Sequence, residues 1–276
     1  MQKKTEDIVV DISPTEFWFL LNQFSPAILL GIENPYFGWL AEEIEPARRE
    51  ALRSLVDRDL VRMVSPEEIA LEESLAAMVA VCAQAESSLI IQSQESNGVD
   101  ARRYIHFGGG LIVQQRQVED GNYQLTAIQN VQVLSEHLND DLRTDSKSAS
   151  KGKPFQIPEG TLFGSNKFIQ EGKEEAALNL LKSTGLANDV IERLCPALSA
   201  PVANTSFALL ANRNNPDAQY VSGFAVLEGQ DEMWLMQVHE QNGKPIVTFN
   251  PANANMVLEH FLEIMPAGYG ARLLIA

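Results

Sequence analysis

Cysteine is nearly absent: Cys82 and Cys195 are the only two in 276 residues. Both sit among apolar neighbours in helical patterns and read as small buried side chains. Two isolated thiols build no disulfide framework, so a reducing cytosol fits the chain. Basic charge is short as well. Lys and Arg number 21 against 37 Asp and Glu, a formal charge of −16. That balance disfavours nucleic acid and anionic lipid, which both recruit Lys and Arg to phosphate. It favours solubility and neutral or basic partners. Long apolar runs are missing too. The most apolar stretch, 17–32, is interrupted by Asn22, Gln23, Ser25 and Pro26, and falls short of the roughly 20 residues that span a bilayer. At the start, Lys3-Lys4 leads into Glu6, Asp7 and Asp11 instead of the apolar core of a signal peptide. The expectation is a cytosolic protein with no membrane partner.

Catalytic motifs are also lacking. Histidine occurs four times, as His106, His137, His239 and His260. Glu136-His137 and Glu259-His260 could in principle face one metal, but no H-E-x-x-H or C-x-x-C spacing supports it. Polar, outward helical pairs explain them as well. Gly108-Gly109-Gly110 invites a phosphate-loop reading. A phosphate loop needs Lys-Ser/Thr at a following helix, whereas Leu111-Ile112-Val113 continues as a strand, so a tight turn or bulge is expected. No serine sits in G-x-S-x-G, and Gly164-Ser165-Asn166 reads as a turn. Cys82 lies on a buried stripe. Glu67-Glu68 and Glu72-Glu73 read as helix-start or solvated-face charges. No catalytic, cofactor-binding or metal-binding residue is assigned, and no cofactor is expected.

What is present is a set of alternating elements. Residues 7–12 read as a short strand, followed by the capping box Ser13-Pro14-Thr15-Glu16. Its helix carries Phe17, Trp18, Leu20, Leu21 and Phe24. A helix from Pro46 to Val56 has Leu52, Leu55 and Val56 on one face. Ser65-Pro66-Glu67-Glu68 reads as the cap of a second helix, with Leu71, Leu75, Met78, Val79 and Cys82 as its stripe. Runs at 87–93, 102–107, 110–118 and 122–129 form a meander with turns at Asn97-Gly98, Gly108-Gly109 and Asp120-Gly121-Asn122. A helix follows near 130–140. Residues 139–158 are almost free of apolar side chains and read as a linker or exposed loop. Leu162-Phe163 and Phe168-Ile169 suggest a strand within 159–171. Helices at 174–183 and around Val190–Leu198 come next, the second weakened by Pro196. Strands are expected near 205–212, 219–227, 231–239 and 245–249, with Asn242-Gly243 as a hairpin turn. A helix starts at Asn250-Pro251, and Leu273-Leu274-Ile275 is a final strand.

This order repeats. Residues 50–138 and 175–262 run through helix, helix, sheet and helix. Glu50-Ala51-Leu52 answers Glu175-Ala176-Ala177-Leu178, Tyr104 answers Tyr220, and Glu136-His137 answers Glu259-His260. A half with one exposed apolar sheet face cannot bury it alone. The expected fold is therefore α+β: an internally duplicated, pseudo-two-fold, antiparallel or mixed sheet with flanking helices. It would be one domain, 1–276, of two lobes, 1–140 and 159–276, joined by a flexible segment at 141–158.

The order resembles the EspG proteins, cytosolic chaperones of ESX (type VII) secretion. The residues that carry it are the initial strand into Ser13-Pro14-Thr15-Glu16-Phe17, then Arg49-Glu50-Ala51-Leu52-Arg53-Ser54-Leu55 with Asp59-Leu60-Val61. Ser65-Pro66-Glu67, a long helix, the meander and the second half follow. The resemblance implies a quasi-two-fold α+β fold that binds the tip of secreted PE–PPE heterodimers without catalysis or cofactor. It carries no binding residue across. The expected function is a non-enzymatic, cytosolic protein-binding scaffold, a chaperone or adaptor for a helical secreted protein. Its apolar groove between helices and sheet would cover an apolar tip. Two alternatives stand beside it. Arg48, Arg49, Arg53, Arg58 and Arg62 within 47–83 would suit a winged-helix regulator that binds nucleic acid. An enzyme of unrecognised class is the other.

Overall fold

Ser13 starts the first helix as its sequence dictates. Its hydroxyl accepts the Glu16 N–H, and the Glu16 carboxylate accepts the Ser13 N–H at 2.8 Å. In the computed structural model, residues 7–26, 28–66, 68–95, 100–141, 152–212, 219–266 and 268–269 are described. The first half comprises β1 (Ile8–Ile12), α1 (Pro14–Leu21), α2 (Ala41–Asp57), β2 (Val61–Met63), β3 (Ile69–Leu71) and α3 (Glu73–Gln84). It continues with β4 (Ser87–Glu95), β5 (Asp100–Gly108), β6 (Leu111–Gln117), β7 (Tyr123–Ile128) and α4 (Val131–Asp141). The second comprises β8 (Phe155–Pro158), α5 (Glu159–Gln170), α6 (Glu174–Lys182), α7 (Asn188–Ser199), β9 (Ala203–Ala211), β10 (Gln219–Glu228), β11 (Met233–Gln241), β12 (Lys244–Pro251) and α8 (Ala254–Glu263).

The class is α+β. Ten strands form one sheet in the order β1-β7-β6-β5-β4-β9-β10-β11-β12-β8, and every adjacent pair is antiparallel. β2 and β3 form a separate small hairpin. The halves meet where β4 pairs with β9, Ile91 opposite Phe207. On either side of that seam the strands run outward in the same sequence, and each half closes with its own first strand, β1 or β8, at the edge. No described helix is long and apolar enough to cross a membrane.

Alternation along the strands gives the sheet two apolar faces. On one face, Leu89, Ile91, Phe107, Phe207 and Phe224 pack beneath α4 and α8, which contribute Leu134, Leu138, Val257 and Phe261. On the other face the first half buries Ile12, Val113 and Leu125 beneath Phe17, Leu20, Leu55, Leu75 and Met78 of α1–α3. The second half buries Ile157, Leu227, Trp234 and Phe249 beneath Leu181, Ile191 and Leu194 of α6 and α7.

Several elements differ from the sequence expectation. The stretch 159–171 is the helix α5, not a strand, and Gly164-Ser165-Asn166 lies inside it. Glycine is a poor helix former, but here it lets two helices approach closely: a Cβ on Gly164 would stand 2.9 Å from Leu180 Cδ2 on α6. Phe155–Pro158 pairs with β12 as an edge strand, inside the stretch expected as linker. Ser65-Pro66 does not cap α3. Val64 N–H donates to the Glu68 carbonyl across the β2–β3 turn, and Leu71 closes that hairpin instead of joining the helix. The cap of α3 is Glu72, whose carboxylate accepts the Leu75 N–H at 2.8 Å and is held below its ordinary pKa by backbone N–H groups of Ser74 and Leu75. α2 begins at Ala41, five residues before Pro46, because the Glu43 carboxylate caps the Leu40 N–H. α8 begins after Asn253, whose side chain accepts the Met256 N–H, since β12 extends through Pro251. α7 continues through Pro196 to Ser199, because Ile191, Leu194 and Ala197 bury one face. The expected Asn97-Gly98 turn and the strand at 273–275 lie outside the described residues.

Candidate docking surface

The two helical clusters do not meet over the centre of their shared sheet face. Between them lie Ile90 and Gln92 of β4, Asn204, Ser206 and Ala208 of β9, and Ala225 of β10, all partly or fully exposed. These positions are registered across the seam, Ile90 opposite Ala208 and Gln92 opposite Ser206. Ser93 Oγ and Thr205 Oγ1 lie 3.0 Å apart on the seam's opposite face and tie the two halves laterally.

The halves treat this face differently. In the first half, the long connection from α1 to α2 folds down onto the sheet. Gly31 rests on the ring of Tyr104, leaving that tyrosine only 8% exposed. The Gln115 amide donates to the Leu30 carbonyl at 3.0 Å. Gln115 Oε1 accepts from His106 Nε2–H at 3.0 Å, and Ser88 Oγ–H donates to His106 Nδ1 at 2.8 Å. A buried Ser–His pair resembles part of a hydrolytic triad, but here it is a strut. Ser88 is 0% exposed, and the second imidazole nitrogen meets an amide instead of a carboxylate. Nothing in the sequence pattern singled out this chain of three side chains, because its members are 18 and 9 residues apart on different strands.

In the second half, the connection from α5 to α6 is only Glu171–Lys173, and among the described residues no strap like that of the first half covers the sheet. A groove of about 500 Å³ remains between α5, the end of α7 and β9–β12. Its walls are Leu162, Phe163, Leu198, Tyr220, Met236 and Val238, and Glu159 is the formally charged side chain among its described lining residues. Tyr220, near the start of β10, is 61% exposed here, and Phe163 and Val238 are exposed to a similar degree. Such a surface offers apolar contact area with hydrogen-bonding groups at Asn166, Asn204 and Ser206. Among its described lining residues it presents no cluster of proton-transfer groups.

The other sequence candidates are dispersed. His137 Nε2 lies 3.3 Å from Asp7 Oδ2. His260 Nδ1 lies 2.8 Å from Glu263 Oε2, while its Nε2 accepts from Gln237 Nε2 at 3.0 Å. His239 Nδ1 is 3.3 Å from Thr248 Oγ1. Among the described residues no three His, Cys, Asp or Glu side chains converge as metal ligands would. Gly109 and Gly110 take φ of +58° and +79° in a tight β5–β6 turn. Cys82 is buried on α3, and burial raises the Cys195 thiol pKa with Glu174 adding to it, which suppresses thiolate chemistry. Of the five arginines in the winged-helix candidate, Arg49 pairs with Glu45, Arg53 with Glu50 and Arg58 with Glu16. The helix that would enter a groove, α3, buries Leu75, Met78, Val79, Val81 and Cys82.

No protein-family profile matches the chain, and no curated protein does. Among solved structures, the order of elements is matched in three dimensions. The chain shares the fold of EspG5, the type VII secretion system chaperone of Mycobacterium tuberculosis, solved in complex with the PE25–PPE41 dimer; the two are 14% identical, superpose with a TM-score of 0.68, and match over 95% of this chain and 98% of that one.

Proposed function

We propose that this protein is a non-enzymatic protein-binding scaffold that shields an apolar segment of a partner, in the manner of a secretion chaperone. The observation that carries the reading is the uncovered groove of the second half, with Phe163, Tyr220 and Val238 held in solvent by a rigid sheet and helix. Exposed apolar side chains gathered in a concave site mark an interaction surface. The shared fold with EspG5, itself solved with a bound PE25–PPE41 dimer, agrees with it. The charge of −16 keeps such a body soluble in the cytosol while its apolar site waits for a partner. The partner is a helical secreted protein whose apolar tip enters the groove. The body is one domain of two similar lobes, 1–140 and 159–276, copied from one ancestral module.

Co-purification from the source cells tests this. The wild-type chain retains a defined helical partner at a fixed ratio, and Phe163→Asp with Val238→Asp releases it without loss of fold. Retention of the same partner by that double variant overturns the groove as the docking site.

A further inference from the structure

The groove is not the only apolar surface that folding leaves uncovered. The connection from α1 to α2 passes its strap residues and then forms a second feature, the turn from Asn34 to Leu40. Phe37 is 88% exposed there, the most exposed large apolar side chain among the described residues, with Trp39 at 47% and Leu40 at 62%. This turn is built to hold that shape. The Asn34 side chain accepts the Tyr36 N–H at 2.9 Å, and the Asn34 carbonyl accepts the Phe37 N–H at 3.1 Å. The Tyr36 carbonyl accepts the Trp39 N–H at 3.0 Å, and the Glu43 carboxylate fixes the Leu40 N–H at 2.8 Å. Gly38 takes φ +83°, which few other residues tolerate. Beneath the tip, the Tyr36 ring is buried and meets Trp39 edge-on at 5.7 Å.

A turn tied at four backbone N–H groups has little ordering entropy left to lose when it binds. Holding Phe37 and Leu40 in water stabilises nothing in the fold. The turn and its nearest flanks carry only acidic charge, while Arg48, near enough to act on the Tyr36 hydroxyl, and Arg49, paired with Glu45, follow further along α2. Glu33, Glu42 and Glu43 flank it, all exposed, and no Lys or Arg occurs between Gly31 and Ala47. An acidic collar repels anionic lipid and nucleic acid, and it repels a second copy of the same acidic turn.

We propose that Asn34–Leu40 is a second docking element: an aromatic knob, led by Phe37, that seats in an apolar socket edged by Lys or Arg on another protein. The element is separate from the groove and does not depend on the groove's occupant. A chain with both features is an adaptor, holding one protein in the groove and presenting itself to another through the knob.

The test is photo-crosslinking of the full-length chain in its source cells. p-Benzoylphenylalanine replaces Phe37, and in a separate protein Asn242, an exposed hairpin residue, as the background. Support is an adduct at position 37 whose partner peptide, identified by mass spectrometry, carries apolar residues beside Lys or Arg. Its yield falls roughly tenfold with Glu33→Lys and Glu42→Lys together, or between about 50 mM and about 500 mM salt. Phe163→Asp in the groove leaves that yield unchanged. Adducts no stronger than at position 242, adducts to lipid or to a second copy, or a yield indifferent to the charge reversal each overturn the proposal. Failure of the groove variant to release its partner, with the knob adduct intact, overturns the groove reading alone.

Discussion

Gly31 lies flat against the ring of Tyr104, so close that a Cβ would come within 2.0 Å of Cε2. Its φ of +66° is a second reason for glycine. Gly31→Ala meets both penalties, and the expected loss is about 2–4 kcal/mol, read as a lowered denaturation midpoint. In a Tyr104→Ala background the added cost of Gly31→Ala shrinks toward the backbone strain alone, about 1 kcal/mol. An unchanged midpoint for Gly31→Ala means the strap does not rest on the sheet.

The β4–β9 pairing joins the two halves in one sheet, and they are expected to unfold together. Leu89 of β4 is fully buried in the core that also holds Phe207 and Phe261 of the second half. Leu89→Ala is expected to cost about 2–5 kcal/mol. The three tryptophans, Trp18, Trp39 and Trp234, permit a half-by-half readout. With only Trp234 retained, Leu89→Ala still lowers the unfolding midpoint that Trp234 reports. A midpoint at Trp234 that ignores Leu89→Ala shows that the halves unfold independently.

Glu72 ties stability to pH through the cap of α3. Its folded pKa lies below the ordinary value of 4.5, because backbone N–H groups bind the carboxylate. A depressed folded pKa gives stability that is complete above the unfolded pKa and is lost as pH falls through the folded one. Glu72→Ala is expected to cost about 1 kcal/mol at neutral pH. That cost disappears in acid, once the carboxyl is protonated in both states. Urea titrations at neutral and strongly acidic pH check it; an equal cost at both shows that the charge is not what caps the helix.

Groove variants separate binding from folding. Phe163 is 65% exposed, so Phe163→Asp is expected to shift stability by no more than about 0.5 kcal/mol. The same change is expected to weaken a groove partner by roughly tenfold or more. Thermal unfolding and calorimetric titration with the co-purified partner measure the two. A large fall in stability assigns Phe163 to the core instead.

Local chemistry was readable where it is self-contained. The Ser13–Glu16 box needs only four consecutive residues, and it forms as written. The Asn242-Gly243 turn, with both φ positive at 52° and 74°, is likewise set by its own two residues. α5 was not readable, because Gly160 and Gly164 oppose a helix until Leu180 of α6 is packed against it. The start of α3 is not legible locally, because Ser65-Pro66 imitates a cap, while the β2–β3 pairing that claims Ile69–Leu71 is a contact between separated residues.

The sequence by itself determined the α+β class, the acidic balance and most of the element order, though not α5, β3 or β8, since composition, periodicity and near neighbours carry the first set and long-range pairing the second. Only the tertiary structure decided which half of the shared sheet face is covered. That difference arises because the long α1–α2 connection returns to place Gly31 on Tyr104, while only three residues join α5 to α6, and the groove beside α5 stays open. Contacts between distant strands and connections have no local signature, so their consequence, an open groove beside a closed one, emerges only when the chain is folded.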